Sequence, residues 1–145
     1  MRQHIALDAS IDSLEALRNT VASVARRAGA TEVVVGAISL AVDEAVTNVI
    51  LHGYGSHHGP IELTAEVEAG EIVVRVADRA PLFDPLAAPA PDMHTPVESR
   101  RIGGFGVYLI KRNVDSFEHA GRPGGGNILT MRRRIAEQMS VGAET

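Results

Sequence analysis

The spacing of the apolar residues changes part-way along the chain, and this change restricts the fold more than any other feature. Between residues 11 and 50 apolar side chains recur every three or four positions, which is the period of an amphipathic helix. Two helices are predicted, with the apolar sets Ile11, Leu14, Leu17, Val21, Val24 and Ala28, then Val34, Ile38, Ala41, Val42, Ala45, Val49 and Ile50. Ser10 and Thr31 can cap their first turns, and Gly29 and Gly53 are expected to end them.

Beyond residue 60 the apolar residues alternate, as they do in a strand that is buried on one face. Two such runs, 61–67 and 72–76, flank the pair Ala69 and Gly70, which predicts a hairpin. Residues 3–7, 116–120 and 128–133 are predicted to form three more strands, and residues 105–113 a third helix. Segment 80–104 is rich in proline and has little periodicity, so we expect a long loop of the kind that often forms a lid or a binding segment.

The order of elements, β-α-α-β-β-loop-α-β-β, predicts the fold class. It is typical of an α+β protein, a two-layer α/β sandwich with a mixed, mainly antiparallel sheet and helices on one face. A chain of 145 residues is the right size for one domain. We expect this domain to cover residues 1–135 and residues 136–145 to form a disordered tail.

Composition excludes several classes of function. There is no cysteine, which excludes a disulfide scaffold, a thiol nucleophile and a cysteine-ligated metal site. The formal net charge of −4 and the scattered basic residues argue against binding to nucleic acid. The first residues lack the apolar stretch of a signal peptide, and the longest apolar run, 33–42, is far shorter than the roughly 20 residues of a membrane span. We therefore expect a cytoplasmic protein with no membrane or nucleic-acid partner.

Glu44 and Asn48 are the first candidates for chemistry. They lie four positions apart in the second predicted helix, which places both side chains on one face, one turn apart. A carboxylate there can accept a proton, and an amide oxygen can hold Mg²⁺, which needs only one or two protein ligands beside phosphate oxygens. Such a pair is, taken alone, more often a solvated helix face.

Two further motifs flank the proline-rich loop. Asp78 ends the second strand of the hairpin, where a carboxylate can accept a hydrogen bond from a ligand amino group or simply stabilise a turn. Gly103, Gly104 and Gly106 lie where the loop becomes the third helix, and glycines there let phosphate approach the free N–H groups of a helix N-terminus. A flexible hinge is the alternative, and the spacing is neither that of a P-loop nor that of a dinucleotide fingerprint.

Taken together, these stretches resemble the ATP-binding boxes of the GHKL ATPases. The closer resemblance is to the anti-sigma-factor serine kinases, through EAVTNVILHGYG, VADRAPLFDP, GGFGVYLIKRNVD and NILTMRR. The similarity extends over nearly the whole chain, about residues 5–134. Each motif is weak alone, but their order makes the set specific.

The resemblance implies a role for each matching residue. Glu44 would be the general base, Asn48 the Mg²⁺ ligand, and Asp78 the acceptor for the adenine amino group, with Thr130 helping through water. Gly103, Gly104 and Gly106 would belong to the phosphate-binding lid. The expected cofactors are ATP and Mg²⁺, and the expected partners are a sigma factor, a STAS-domain anti-anti-sigma protein phosphorylated on serine, and a second copy of the chain.

One residue departs from the family pattern. Ala80 stands where the family usually has glycine, and its Cβ is expected to weaken nucleotide binding. This departure favours a second hypothesis, a non-catalytic module that uses the nucleotide as a binding switch. A sensor histidine kinase fragment is disfavoured, because no helix with a phosphoacceptor histidine precedes the motifs.

Overall fold

The computed structural model describes residues 2–55, 57–84 and 102–136, with side chains from residue 106 onward in the last range. The elements are β1 (Arg2–Asp8), α1 (Leu14–Arg27), α2 (Glu32–Asn48), β2 (Pro60–Glu68), β3 (Glu71–Asp78), α3 (Ile102–Asn113), β4 (Ser116–Gly121) and β5 (Asn127–Arg134). A 3-10 turn (Ile11–Ser13) precedes α1, and a π-helical turn (Val49–Tyr54) extends α2. The predicted order is confirmed. Most of the predicted loop and the predicted tail beyond Ala136 lie outside the described residues.

The five strands form one sheet in the order β1-β2-β3-β5-β4. Every neighbouring pair is antiparallel, so among the described strands the sheet is antiparallel throughout rather than mixed. β5 lies between β3 and β4, which brings the end of β3 beside the start of β5. Asp78 and Asn127 are therefore direct partners across these two strands.

The hydrophobic core lies between the helices and one face of the sheet. Its sheet side is made by alternate residues of the central strands, and α1 and α2 supply its helix side. The largest fully buried side chains are aliphatic, among them Leu17, Ile38, Ile61, Leu63, Ile72, Ile110 and Met131. The other face of the sheet carries ion pairs such as Arg75–Glu66 at 3.7 Å. The predicted two-layer sandwich with helices on one face is thus confirmed.

The caps and turns follow the sequence with two exceptions. Thr31 caps α2 by accepting the Val34 N–H at 3.3 Å, and Gly29 follows α1 with a φ of +89°. Ser10, however, contacts the Ser13 hydroxyl at 3.1 Å rather than a backbone N–H. The prediction that Gly53 ends the second helix is wrong, because the π turn continues through Tyr54 and the chain reverses at Gly55, whose φ is +63°.

The helix spanning Glu32–Tyr54 is long and apolar enough to cross a membrane by length and composition. This helix is longer than the apolar run 33–42 recognised in the sequence, because it continues through polar residues to Tyr54. Its apolar window is 56% buried within the protein, where it packs against α1, α3 and the sheet. A central core helix passes the same test, so the segment is weak evidence for a membrane span.

Candidate functional site

The C-terminal half of α2 lies over the point where β3 ends and β5 begins. Between them is a small cavity, lined by Asn48, Val49, Gly53, Asp78, Phe83, Asn127 and Leu129. Its volume is about 10 Å³, which is about the space of one water molecule. Two sequence candidates from distant parts of the chain, Asn48 and Asp78, thus face the same space. Any larger ligand must widen this cavity to enter.

Glu44 and Asn48 lie against α3 at Gly106. A Cβ built on Gly106 would lie 3.0 Å from Glu44 Oε2 and 3.4 Å from Asn48 Oδ1. A larger residue would therefore crowd the carboxylate and the amide, which is consistent with a glycine inside a helix, where glycine costs stability. Gly103 and Gly104 lie in the first turn of α3, which begins at Ile102, three residues before the predicted start.

The amide of Asn48 is buried, with 4% of the residue exposed, and its Nδ2 has no hydrogen-bond partner among the described residues. A buried polar atom left without a partner costs roughly 1–3 kcal/mol, so such atoms are rare and commonly face a water molecule, an ion or a ligand. An amide at this position can offer a ligand either its N–H group or, after rotation, its oxygen. Asn48 is therefore suited to a phosphate group or to a hard cation such as Mg²⁺.

Glu44 is half-buried, and its environment makes it a better proton acceptor. Burial raises the pKa of its carboxyl above the ordinary value of 4.5, and the neighbouring Asp43 charge raises it further. Asp43 is itself held by Arg18, whose Nη1 lies 3.1 Å and 3.3 Å from the two carboxylate oxygens. A carboxylate with a raised pKa takes up a proton more readily from a reacting hydroxyl group.

Asp78 is almost fully buried, with 2% of the residue exposed. Burial raises the pKa of its carboxyl, and hydrogen bonds to Asn127 and to the Ala80 N–H oppose that effect. Both of these hydrogen bonds, each 2.9 Å long, end on Oδ1. The carboxylate is thus held through Oδ1, and Oδ2 can accept a hydrogen bond from a ligand.

A second group of contacts fixes the loop that follows Asp78. The Tyr54 hydroxyl donates to the Pro60 carbonyl at 2.6 Å and accepts the Arg79 N–H at 2.8 Å. The Arg79 guanidinium donates to the carbonyls of Pro123 and Gly125, both at 2.8 Å. The end of the π turn, the start of β2 and the β4–β5 turn are therefore all tied to the residue after Asp78.

Residues 7–133 match the model of the histidine kinase-like ATPase domain, which is most of the chain. The chain belongs to the histidine kinase-like ATPase family.

Its relatives within this ATPase family are protein kinases and anti-sigma factors. The "Serine-protein kinase RsbW" of Oceanobacillus iheyensis is 31% identical over 126 residues, 83% of this chain and 78% of the relative. The "Anti-sigma F factor" of Clostridium acetobutylicum is 27% identical over 119 residues, 82% of this chain and 83% of the relative. The resemblance predicted from the four motifs is thus confirmed, and these relatives support protein-serine kinase activity.

A solved structure supports the fold of this ATPase. The chain of the RsbU and RsbW domains of Rv1364c from Mycobacterium tuberculosis matches with a TM-score of 0.67 and 21% sequence identity. The match covers 94% of this chain and 33% of that chain. Together with the family match, this likeness supports the fold of the histidine kinase-like ATPase domain.

Thr130 is not brought to the site of this ATPase. In β5 it pairs with Arg75 and Glu118 on the charged face of the sheet, whereas Leu129 and Met131 point into the core. The prediction that Thr130 helps to bind adenine is therefore wrong. Successive side chains of a strand point to opposite faces, so Thr130, three positions after Asn127 at the start of β5, lies on the face away from the cavity.

Asn127 takes the place beside Asp78 that was assigned to Thr130. It is 3% exposed and donates from Nδ2 to Asp78 Oδ1. One signal was visible beforehand, a polar residue directly after the glycine-rich turn GRPGGG and at the start of an apolar strand. That signal does not reveal which residue of β3 lies opposite, and the pairing register decides the contact.

Ala80 is accommodated without intruding into the cavity. It is 1% exposed, its Cβ lies 3.1 Å from the Cβ position of Gly53, and its side chain is absent from the cavity lining. Among the non-glycine residues described, only Ala69 has a positive φ, so the backbone of Ala80 suits an alanine. Gly53 in α2's π turn compensates for the missing glycine at position 80.

Three histidines near the end of the π turn, and Lys111, are absent from the lining of the cavity. His52, His57 and His58 are exposed, and His52 stacks on Phe83 with ring centroids 6.4 Å apart. Within ranges 2–55, 57–84 and 102–136 no three histidine or carboxylate side chains are grouped as a metal site. Lys111, in the second half of α3, is exposed.

Proposed function

We propose that this chain is an anti-sigma-factor serine kinase. It binds Mg·ATP, phosphorylates a serine of a STAS-domain anti-anti-sigma protein, and sequesters a sigma factor. The observation that carries the proposal is the small cavity that Asn48 and Asp78 both line. The Nδ2 atom of Asn48 has no hydrogen-bond partner there, and Glu44 lies one helical turn away from Asn48. Kinship with serine-protein kinases and anti-sigma factors supports the same function.

The adenine ring would enter the cavity beside Asp78. Its exocyclic amino group is a donor, and the buried carboxylate is an acceptor whose Oδ2 can receive that bond. The cavity of about 10 Å³ is far too small for a purine, so the side chain of Phe83 would move outward when the base enters, while the Phe83 backbone keeps its hydrogen bond to Asn127. The glycines 103, 104 and 106 would then border the phosphate groups, with Gly106 beside Glu44.

Asn48 would hold Mg²⁺ through its amide oxygen. The fit rests on the amide itself, since it is buried, has an Nδ2 without a partner, and lies next to the carboxylate of Glu44. Magnesium keeps most of its water and phosphate ligands, so one protein oxygen is enough. When bound, the ion would neutralise charge on the phosphate oxygens.

Glu44 would accept the proton of the serine hydroxyl as that oxygen attacks the γ-phosphorus. The bond from the γ-phosphorus to the bridging oxygen of ADP breaks as the new ester forms. Phosphoryl transfer depends chiefly on positioning and charge stabilisation, and a well-placed base adds about 10²–10⁴-fold. The raised pKa of Glu44 suits it to this role.

The same proposal includes the setting in which the kinase works. The kinase domain would comprise residues 1–135, and the protein would act as a cytoplasmic homodimer. Phosphorylation of the STAS partner would prevent that partner from releasing the sigma factor. Relatives named as an anti-sigma factor and a serine-protein kinase support the sigma-factor and kinase parts of this proposal.

The test compares the wild type with Glu44→Gln and with the control Glu118→Gln, an exposed glutamate on β4. Calorimetry with Mg·ADP measures nucleotide binding, and mass spectrometry of a STAS protein from the same genome, incubated with Mg·ATP, measures transfer. We expect both variants to bind the nucleotide and only Glu44→Gln to lose transfer, by about 10²–10⁴-fold. Nucleotide binding without any transfer by the wild type would favour the alternative, a nucleotide-gated binding module, and absence of nucleotide binding would refute both.

A further inference from the structure

Three polar side chains form a chain of hydrogen bonds that ends at the cavity. His119 Nε2 lies 2.8 Å from Asn127 Oδ1. Asn127 Nδ2 in turn lies 2.9 Å from Asp78 Oδ1. We call these residues, His119, Asn127 and Asp78, the relay.

The direction of the relay is fixed by backbone groups of the loop after β3. The Phe83 N–H can only donate, and it lies 2.9 Å from one terminal atom of the Asn127 amide, which must be the oxygen. The Pro81 carbonyl can only accept, and it lies 3.1 Å from the other atom, which must be the nitrogen. The Asn127 amide therefore has one orientation, with its N–H group towards Asp78.

This orientation also determines the tautomer of His119. Because Asn127 Oδ1 is an acceptor, the His119 nitrogen that faces it must carry a hydrogen, so Nε2 is protonated. The side chain of His119 is 8% exposed, which keeps competing water away from that bond. His119 and Phe83 together hold the amide, and the amide presents a donor to Asp78.

From this geometry we infer that His119 and Asn127 are positioning residues that set the base selectivity of the nucleotide site. The inference rests on the proposed function, in which Asp78 reads the base. An N–H group directed at Oδ1 favours the ionised carboxylate, which can only accept hydrogen bonds. A purine with a 6-amino group donates to such a carboxylate, whereas a purine with a 6-oxo group places a second acceptor against it. The site therefore selects adenine over hypoxanthine.

His119 and Asn127 can be changed separately. In His119→Leu the Asn127 oxygen loses one of its two donors, so the Phe83 N–H alone holds that end of the amide and its N–H group is directed less firmly at Asp78. In His119→Gln the glutamine amide can still donate to Asn127, so this variant is the matched control. In Asn127→Asp a second carboxylate faces Asp78 at 2.9 Å. Two carboxylates at that distance share a proton, so Asp78 can then present a donor to a 6-oxo group.

The experiment measures the dissociation constants of ADP and IDP by calorimetry for all four proteins, with melting temperatures recorded alongside. We expect the wild type to prefer ADP by at least about a hundredfold, because a site built to receive an N–H group strongly rejects a ligand without it. His119→Leu should lower that ratio about tenfold, the value of one lost hydrogen bond, and His119→Gln should leave it within about twofold. Asn127→Asp should lower it most.

Nitrogen NMR of the histidine side chains gives an independent readout, because the relay requires the Nε2–H tautomer of His119 in the protein without nucleotide. An Nδ1–H tautomer would overturn the relay. An ADP-to-IDP ratio that stays unchanged in His119→Leu and Asn127→Asp, while their melting temperatures fall, would also overturn it and reduce both residues to structural roles. A wild type that binds neither nucleotide would instead refute the proposed function, whatever the tautomer.

Discussion

Gly126 lies where the β4–β5 turn enters β5, and its replacement by alanine tests the close contact between β3 and β5. A Cβ at position 126 would lie 2.0 Å from the Asp78 carbonyl oxygen and 3.0 Å from the Arg79 Cα. Gly125 is the matched control. Its φ of +104° is as unsuitable for an L-residue as the +121° of Gly126, but a Cβ on it meets nothing within 4 Å.

The expected cost follows from these two differences. Alanine at a positive φ costs roughly 1–2 kcal/mol, and both variants carry that cost. In Gly126→Ala the contact to Asp78 is also about 1.5 Å shorter than van der Waals distance, so the strand ends must separate. Separation weakens about two hydrogen bonds around Asp78 and Asn127, at about 1 kcal/mol each. Gly126→Ala should therefore be about 2 kcal/mol less stable than Gly125→Ala.

Scanning calorimetry measures the difference directly. For a chain of this size 1 kcal/mol changes the melting temperature by about 2–4 °C, so Gly126→Ala should melt about 4–8 °C below Gly125→Ala. The affinity for ADP should also fall in Gly126→Ala alone, because Asp78 moves with its carbonyl. Equal melting temperatures for the two variants would refute the reasoning, since they would show that the close approach of the strands costs nothing.

Three further changes have defined outcomes. Because burial raises the pKa of Glu44, phosphoryl transfer should be lost as the pH falls through a value above 4.5. The same burial disfavours the charge of Glu44 in the folded protein at neutral pH. Glu44→Gln removes that charge, so the variant should melt at a higher temperature than the wild type at neutral pH. A pH–rate profile with no acid limb above 4.5 would contradict this. Asn48→Ala removes an amide whose Nδ2 has no partner, so ADP binding should lose its magnesium dependence while thermal stability changes little, as titrations with and without Mg²⁺ can show. Tyr54→Phe leaves the Arg79 N–H and the Pro60 carbonyl without their phenol partner, and chemical denaturation should show a loss of roughly 1–3 kcal/mol.

The sequence predicted the elements well, because each depends on local patterns. Helical spacing in residues 11–50, alternation in residues 61–76 and the pair Ala69–Gly70 are visible without any tertiary information, and the structure confirms all three. The predicted end of the second helix was wrong. A glycine at such a position usually ends a helix, but Gly53 instead leaves room for the Cβ of Ala80. This contact joins residues that are far apart in the chain.

The site was predicted in part for the same reason. Glu44 and Asn48 share a helix face through local periodicity alone, and Asp78 ends a strand that the alternation defines. Asn127 and His119 were missed because their importance depends on β5 lying between β3 and β4, which no local pattern specifies. Thr130 was misassigned because the face of a strand residue depends on the pairing register.

The amino-acid sequence by itself determined which segments are helices and strands and which family motifs they carry, because periodicity and turn chemistry act over a few residues. Only the tertiary structure decided which side chains meet. The strand order brings Asn127 to Asp78, and the packing of α3 brings Gly106 to Glu44 and Asn48. These contacts depend on how distant segments pack together, and short-range patterns carry no information about that packing.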